Sequence, residues 1–253
     1  MTAAARPDSR KAPRGDFLRR NPFPRPFLDG FFYREKMRAI HRVAPDGPVA
    51  TVLEIGGGRS GLSAMLYPAA RVVNVDLDPA LADAPCNRAA AVRFICGDAA
   101  SLPFADGAFD VVTMFDVIEH VPDDRRSVAE ALRVLRRGGA LVLSTPNENW
   151  RFPYYGALRP VCPSEAAIMA EWGHVRRGYR LAELETLVGA RADDRASFIT
   201  PLTVVGHDIA FSRLPARLRT LLCAAALPLT LLGYATHRPA ARGTETAAAW
   251  HKR

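Results

Sequence analysis

The chain has 253 residues, 49% of them hydrophobic and 24% charged, with a mean hydropathy near zero. That balance excludes a disordered chain, a collagen-like fibre and a polytopic membrane protein, and a chain of this length can bury a large core without staples. Its net charge of +8 is split into basic flanks, about +6 over 1–47 and again over 173–253, around a centre of about −4; a nucleic-acid binder concentrates positive charge on its binding face, so no nucleic-acid partner is expected.

Residues 1–28 are rich in Pro and Arg without a sustained period and read as a loose basic tail, with no apolar stretch to make a secretory leader. Over 29–47 the positions Phe32, Met37, Ile40 and His41 predict one amphipathic helix that ends near Pro45. Residues 50–55 then form a strand, 56–61 a tight turn and 62–70 a helix. The runs 71–76, 92–96, 109–115 and 140–145 are short and β-branched, the composition of strands buried in a parallel sheet. Before the last of them, Asp123 or Asp124 caps a helix with Val128, Leu132 and Leu135 as its apolar stripe, and Gly138-Gly139 end it. A further helix covers 181–188. This alternation predicts one doubly wound α/β domain over 29–253. Cys86, Cys96, Cys162 and Cys223 lie ten or more residues apart, so neither a disulfide framework nor a zinc site is expected, and no metal is assigned.

The chemistry concentrates after the first strand. Gly56-Gly57-Gly58-Arg59-Ser60-Gly61 fits G-x-G-x-x-G between a strand and a helix, where glycines admit a ligand close to the backbone and the helix start offers unpaired N–H groups. By itself the loop serves a dinucleotide as well as S-adenosylmethionine. Glu54, Asp76, Asp98 and Asp116 then fall at or beside four strand ends, along the sheet edge where open α/β folds bind ligands. So many carboxylates repel a pyrophosphate and attract a sulfonium and an ammonium. Asp98 and Asp116 also read as turn caps.

Six segments in order complete the pattern: Val52 to Gly58, Val75 to Pro79, Gly97 to Phe104, Phe109 to Val112, Val117 to Asp123 and Leu135 to Asn147. Over about residues 50–190 the chain resembles the class I S-adenosylmethionine-dependent methyltransferases, in the type 11 small-molecule branch of bacterial and other enzymes. The resemblance implies a Rossmann-like, seven-stranded, mostly parallel sheet flanked by helices, with a S-adenosylmethionine-binding core over 48–147. Its sixth strand is expected near 196–205 and its closing antiparallel strand over 245–252. It implies that Glu54, Gly56 and Gly58 hold the methionine part, Asp76 the ribose, Leu77 and Asp98 the adenine with Ala99 donating from its backbone, and that Phe115 lies beside the sulfonium. S-adenosylmethionine is the implied cofactor, S-adenosylhomocysteine the product.

On the acceptor side His120 and His174 are the candidate bases, although both residues also suit loop anchoring. Residues 148–178, with Trp150, Phe152, Tyr154 and Tyr155, read as an aromatic lid or as ordinary packing. Over 206–243 an apolar helical insertion is expected before the last strand. Its uncharged run, Thr220 to Thr236, is flanked by Arg213, Arg217 and Arg219 and by His237, Arg238 and Arg242. The run suits a membrane-surface segment or the wall of a greasy site, a buried hairpin, or, at the short limit, a spanning helix. The expected function is methyl transfer, favouring oxygen, to a small and hydrophobic or lipid-linked acceptor. The expected location is the cytoplasm, with peripheral contact at the inner membrane face through 213–238. The alternatives are a non-catalytic membrane-surface scaffold that binds the donor and an NAD-dependent dehydrogenase.

Overall fold

The computed structural model describes residues 10–23 and 29–253. Seven strands form one sheet in the order β3-β2-β1-β4-β5-β7-β6. They are β1 (Thr51–Ile55), β2 (Arg71–Asp76), β3 (Val92–Cys96), β4 (Phe109–Phe115), β5 (Leu135–Pro146), β6 (Asp194–Phe198) and β7 (Glu245–His251). Strands β1 to β5 pair in parallel, while β7 inserts antiparallel between β5 and β6. Strand order reverses between β1 and β4, and the cleft that such a reversal opens lies outside their carboxyl ends. All seven residues of β4 are buried, as expected of a central strand covered on both faces.

The helices are α1 (Arg14–Arg19), α2 (Asp29–Val43), α3 (Leu62–Leu66), α4 (Asp124–Val134), α5 (Glu165–Trp172), α6 (Leu181–Val188), α7 (Val204–Ala210) and α8 (Ala216–Thr236). One face of the sheet packs on α1 to α3 through Phe17, Met37, Ile40, Leu62 and Leu66. The other packs on α4 and α6 through Val128, Ala131, Leu184 and Trp250. Asp123 caps α4 by accepting from the Arg126 amide at 3.0 Å.

Three expectations are corrected. The loose tail does not extend over 14–19: Phe17 and Leu18 are buried beneath α2, so that segment folds as a helix, while 1–9 and 24–28 lie outside the described residues. Gly138-Gly139 do not end α4, which stops at Val134. They lie within β5, and Gly139 packs against the Asp110 carbonyl, which a Cβ would meet at 2.6 Å. The sixth strand ends at Phe198 rather than running to 205, because Ile199 adopts φ +53° and turns the chain toward α7.

Candidate active site

The glycine loop is held from beneath. The Gly57 amide donates to Asn74 Oδ1 at 3.1 Å and the Gly58 amide to Asp76 Oδ2 at 3.2 Å. Gly56 and Gly58 both take left-handed φ, and a Cβ on Gly56 would stand 2.5 Å from a Val117 methyl carbon. Only glycine fits at Gly56, on conformation and on space. In front of the loop lies a cavity of about 410 Å³, lined by Gly56, Asp76, Leu77, Asp98, Ala99 and, from the turn after β4, Asp116, Val117 and His120 to Pro122. Leu77 stands at its rim, 71% exposed. Asp98 accepts from the Ala100 amide at 2.8 Å, so it is a turn cap and a wall of the cavity at once.

Two residues expected to touch the donor are elsewhere. Glu54 is buried behind the loop, where it accepts from the Ser63 amide at 3.3 Å and so caps α3. Burial pushes its carboxyl up to about 7. Phe115 is buried in the core, and it is the next residue, Asp116, that faces the cavity. Asp116 is itself ion-paired, Lys36 Nζ lying 2.5 Å from Oδ2, and Ser144 Oγ donates to Oδ1 at 2.6 Å. Of the four strand-end carboxylates, therefore, Asp76 and Asp98 line this cavity without, among the described residues, an ion-pair partner such as Asp116 has. Gly58 supports the loop from outside the cavity lining.

A second cavity, of about 510 Å³, adjoins the first, and Asp116 and His120 line both. Its walls are largely aromatic: Phe32 and Tyr33 from α2, Trp150 and Trp172 from the expected lid, Phe211 from the end of α7. Of the aromatics expected in the lid, Trp150 lines this cavity. Phe152 instead packs in a cluster with Trp150, Cys162 and Ile168, and Tyr154 against the main core. His120 and His174 stand side by side at the cavity, with ring centroids 4.7 Å apart. Burial, with a smaller contribution from His120, lowers His174 to about 4, so its ring is neutral at pH 7 and a weak proton acceptor. Glu119 and Glu245 complete the polar patch. Burial and then Asp116 push Glu119 up to about 8, and raise Glu245 well above the usual carboxylate range.

Lys36, Glu119, Glu245 and His207 were not singled out from the sequence. One signal for Lys36 was there: it is one of three lysines in a chain with 31 arginines, beside Met37 on the amphipathic helix α2. Burial alone would lower its ammonium; Asp116 and Tyr33 outweigh that and raise it. The strained backbone also marks the site, because Asp116 and Ile199, the only non-glycine residues with left-handed φ among those described, both line the second cavity.

Comparison with known proteins agrees with this geometry. A model of the methyltransferase domain family matches residues 53–143. A protein of Mycobacterium tuberculosis named "Probable S-adenosylmethionine-dependent methyltransferase" is 36% identical over 121 residues, 47% of this chain and 44% of its own length. A demethylmenaquinone methyltransferase of Thermus thermophilus is 34% identical over 139 residues, 52% of this chain and 60% of its own. The chain thus spans about half the length of the curated relatives it matches. Among solved structures, the N-methyltransferase NodS of Bradyrhizobium japonicum, in complex with S-adenosylhomocysteine, superposes with a TM-score of 0.57 at 17% identity, covering 93% of this chain and 96% of that one. That likeness is one of fold.

Proposed function

The chain carries a class I methyltransferase domain, and on that footing we propose that it moves a methyl group from S-adenosylmethionine to an apolar, ring-bearing acceptor, with oxygen the favoured atom. The observation that carries this reading is the pair of adjoining cavities with a common wall at Asp116 and His120. A donor in the first cavity and an acceptor in the second meet at that wall, the alignment an in-line displacement needs. When bound, the donor supplies a methyl carbon already activated by positive sulfur.

The residues fit that donor. Gly56 leaves the backbone open, and Asp76 and Asp98 hold negative charge at the cavity. The Lys36–Asp116 pair and Ser144 fix the shared wall, so the acceptor atom meets a rigid surface. The aromatic walls exclude water and take up a ring system. The relative named for demethylmenaquinone supplies a first acceptor to try.

The same reading extends to a membrane surface. Helix α8, 21 residues long, is long and apolar enough to cross a membrane by length and composition, and most of it is not buried in the protein. Yet one side of it is packed on the protein. Cys223, Thr230 and Gly233 are buried, Arg38 stacks on Tyr234 at 3.8 Å and donates to its carbonyl, and Arg219 donates to the Ser212 carbonyl. On the opposite stripe Leu218, Leu221, Leu222, Leu229 and Leu232 are exposed, Leu221 by 67%. No acidic residue occurs between Asp208 and Glu245, whereas five arginines do. A helix anchored on one side, apolar on the other and flanked by cations suits the surface of an anionic bilayer on the inner face of the cell membrane. Helix α7 packs on α8 and contributes His207 to the wall of the second cavity, which puts the apolar helix on the acceptor side of the molecule.

Calorimetry with S-adenosylhomocysteine tests the core of the proposal: binding that Asp76→Ala abolishes supports it, and binding of NAD in its place overturns it. Co-sedimentation with phosphatidylglycerol vesicles tests the membrane part. The wild type is expected to sediment and Leu221→Ser/Leu232→Ser to remain in the supernatant; a wild type that stays soluble ends the membrane reading alone.

A further inference from the structure

At the floor of the second cavity, Glu119, His120 and His174 each bring one potential ligand atom to within 4.8 Å of the others. The carboxylate and the two imidazoles come from two segments locked together before any ligand arrives. Glu119 and His120 lie on the helical turn Ile118–His120 after β4, and His174 follows the left-handed Gly173 that ends α5. The Val175 amide donates to the Glu119 carbonyl at 2.9 Å, and Tyr179 Oη donates to the Ile118 carbonyl at 3.1 Å. The arginine at 176 clamps the far side through the Val121 and Pro122 carbonyls.

The outer contacts are those a metal ligand set needs. His120 Nδ1 lies 3.2 Å from the Gly173 carbonyl, which fixes the proton on that nitrogen and leaves Nε2 with its lone pair. Thr145 Oγ1 donates to one Glu119 oxygen at 3.0 Å, orienting the carboxylate and leaving the other oxygen available. His174 Nδ1 is buried with no hydrogen-bond partner, an unmet acceptor or donor of the kind that a folded protein rarely leaves.

We propose that Glu119, His120 and His174 form a binding site for a divalent first-row transition metal, with zinc or iron(II) the ions that two imidazoles and one carboxylate suit best. The expectation of no metal, drawn from the cysteine spacing, addressed only thiolate sites. Three protein ligands leave coordination positions open, and this site opens into the cavity beside Asp116. A metal there would bind an acceptor hydroxyl and lower its pKa, so that the proton passes to water in the open cavity and the oxygen is left as the nucleophile. This role in catalysis rests on the methyl-transfer reading; the site itself does not.

The test begins with chelator-treated full-length protein titrated with zinc by calorimetry and with cobalt(II) by visible absorption. One equivalent is expected to bind, with a rise in Tm. His174→Ala, and separately Glu119→Gln, are expected to weaken binding 10- to 100-fold and to lose that rise. S-adenosylhomocysteine binding, measured on the same His174→Ala sample, is expected to remain and serves as the folding control. If that variant does not fold, His174→Gln replaces it. Absence of stoichiometric uptake by folded wild type, or uptake unchanged in both variants, overturns the metal site. Loss of S-adenosylhomocysteine binding by the wild type would instead count against the methyltransferase reading and leave the metal result standing.

Discussion

The two cavities are neighbours built by opposite means. The donor cavity draws on residues between Ile55 and Pro122, all at the carboxyl edge of β1 to β4 and in the turns that follow. Backbone shapes it, through a loop whose amides are pinned by Asn74 and Asp76. The acceptor cavity draws on residues from Phe23 to Glu245, and side chains shape it. Aromatic rings form its walls, and its charged groups are paired or shifted by burial. Change in the donor half should therefore act through geometry at a few points, whereas change in the acceptor half should act through packing and charge.

The sharpest way to break that contrast is at Gly56. In Gly56→Ala the added Cβ meets Val117 and the backbone is held at φ +65°, so donor binding is expected to fall more than 100-fold, read by calorimetry with S-adenosylhomocysteine. Adding Val117→Ala removes the two methyl carbons at 2.5 and 2.9 Å, leaving the residue 117 Cβ at 3.3 Å, but not the left-handed strain of roughly 1–2 kcal/mol, so the double variant should recover only part of the loss. Full recovery would mean that space alone, and not backbone conformation, demands glycine there.

On the acceptor side the matching test is charge. Lys36→Met leaves the Asp116 carboxylate without its partner. Breaking a buried pair costs about 3–5 kcal/mol, but Asp116 keeps 32% of its side-chain exposure, so a loss of about 2 kcal/mol is expected in denaturant unfolding. Lys36→Met/Asp116→Asn should regain most of it. If the single variant is as stable as wild type, water already screens the pair and the acceptor wall is less enclosed than its lining implies.

How much of each half was legible in the sequence follows from the same contrast. The cavity proposed for the donor is lined by Gly56, Asp76, Leu77, Asp98 and Ala99, each fixed by its distance from a strand end, and strand ends are local features. Glu54 and Phe115 do not line that cavity: alternation along a strand turns Glu54 toward α3 and Phe115 into the core, leaving Asp116 at the cleft. The acceptor half depends on which distant elements meet, and no local pattern says that Lys36 reaches Asp116 across 80 positions. Gly138-Gly139 misled because a glycine pair that ends a helix and one that packs tightly inside a strand look alike in sequence.

Burial also makes a pH signature. Glu35 and Glu54 are each raised to about 7 by burial, from about 4.5 unfolded. The folded chain thus holds protons that the unfolded chain has released, so their stabilising contribution is full below about pH 4.5 and is lost as pH rises through 7. His174, lowered to about 4, works in the opposite direction between 4 and 6.5. Above pH 6.5 only the decline remains, and Tm is expected to fall between pH 6.5 and 8.5. Glu35→Gln/Glu54→Gln should reduce that slope without abolishing it, because the contribution of Glu119, raised to about 8, declines over the same range. A wild-type Tm that is level over this range would mean that both carboxyls are better solvated than their burial implies.

The smallest expected effect is at the donor rim. Leu77 is 71% exposed, so with no ligand present it makes little contact, and Leu77→Ala should leave the unfolding free energy within about 0.5 kcal/mol of wild type, as surface changes do. Its use would come only when an adenine covers it. Burying most of a leucine side chain is worth roughly 1–2 kcal/mol, from which alanine retains part, so KM for S-adenosylmethionine should rise about threefold to tenfold with kcat unchanged. That split separates a residue that holds the donor equally in ground and transition states from one that aligns it. A fall in kcat instead would mean that the rim positions the methyl group and that the donor half, too, works through its side chains.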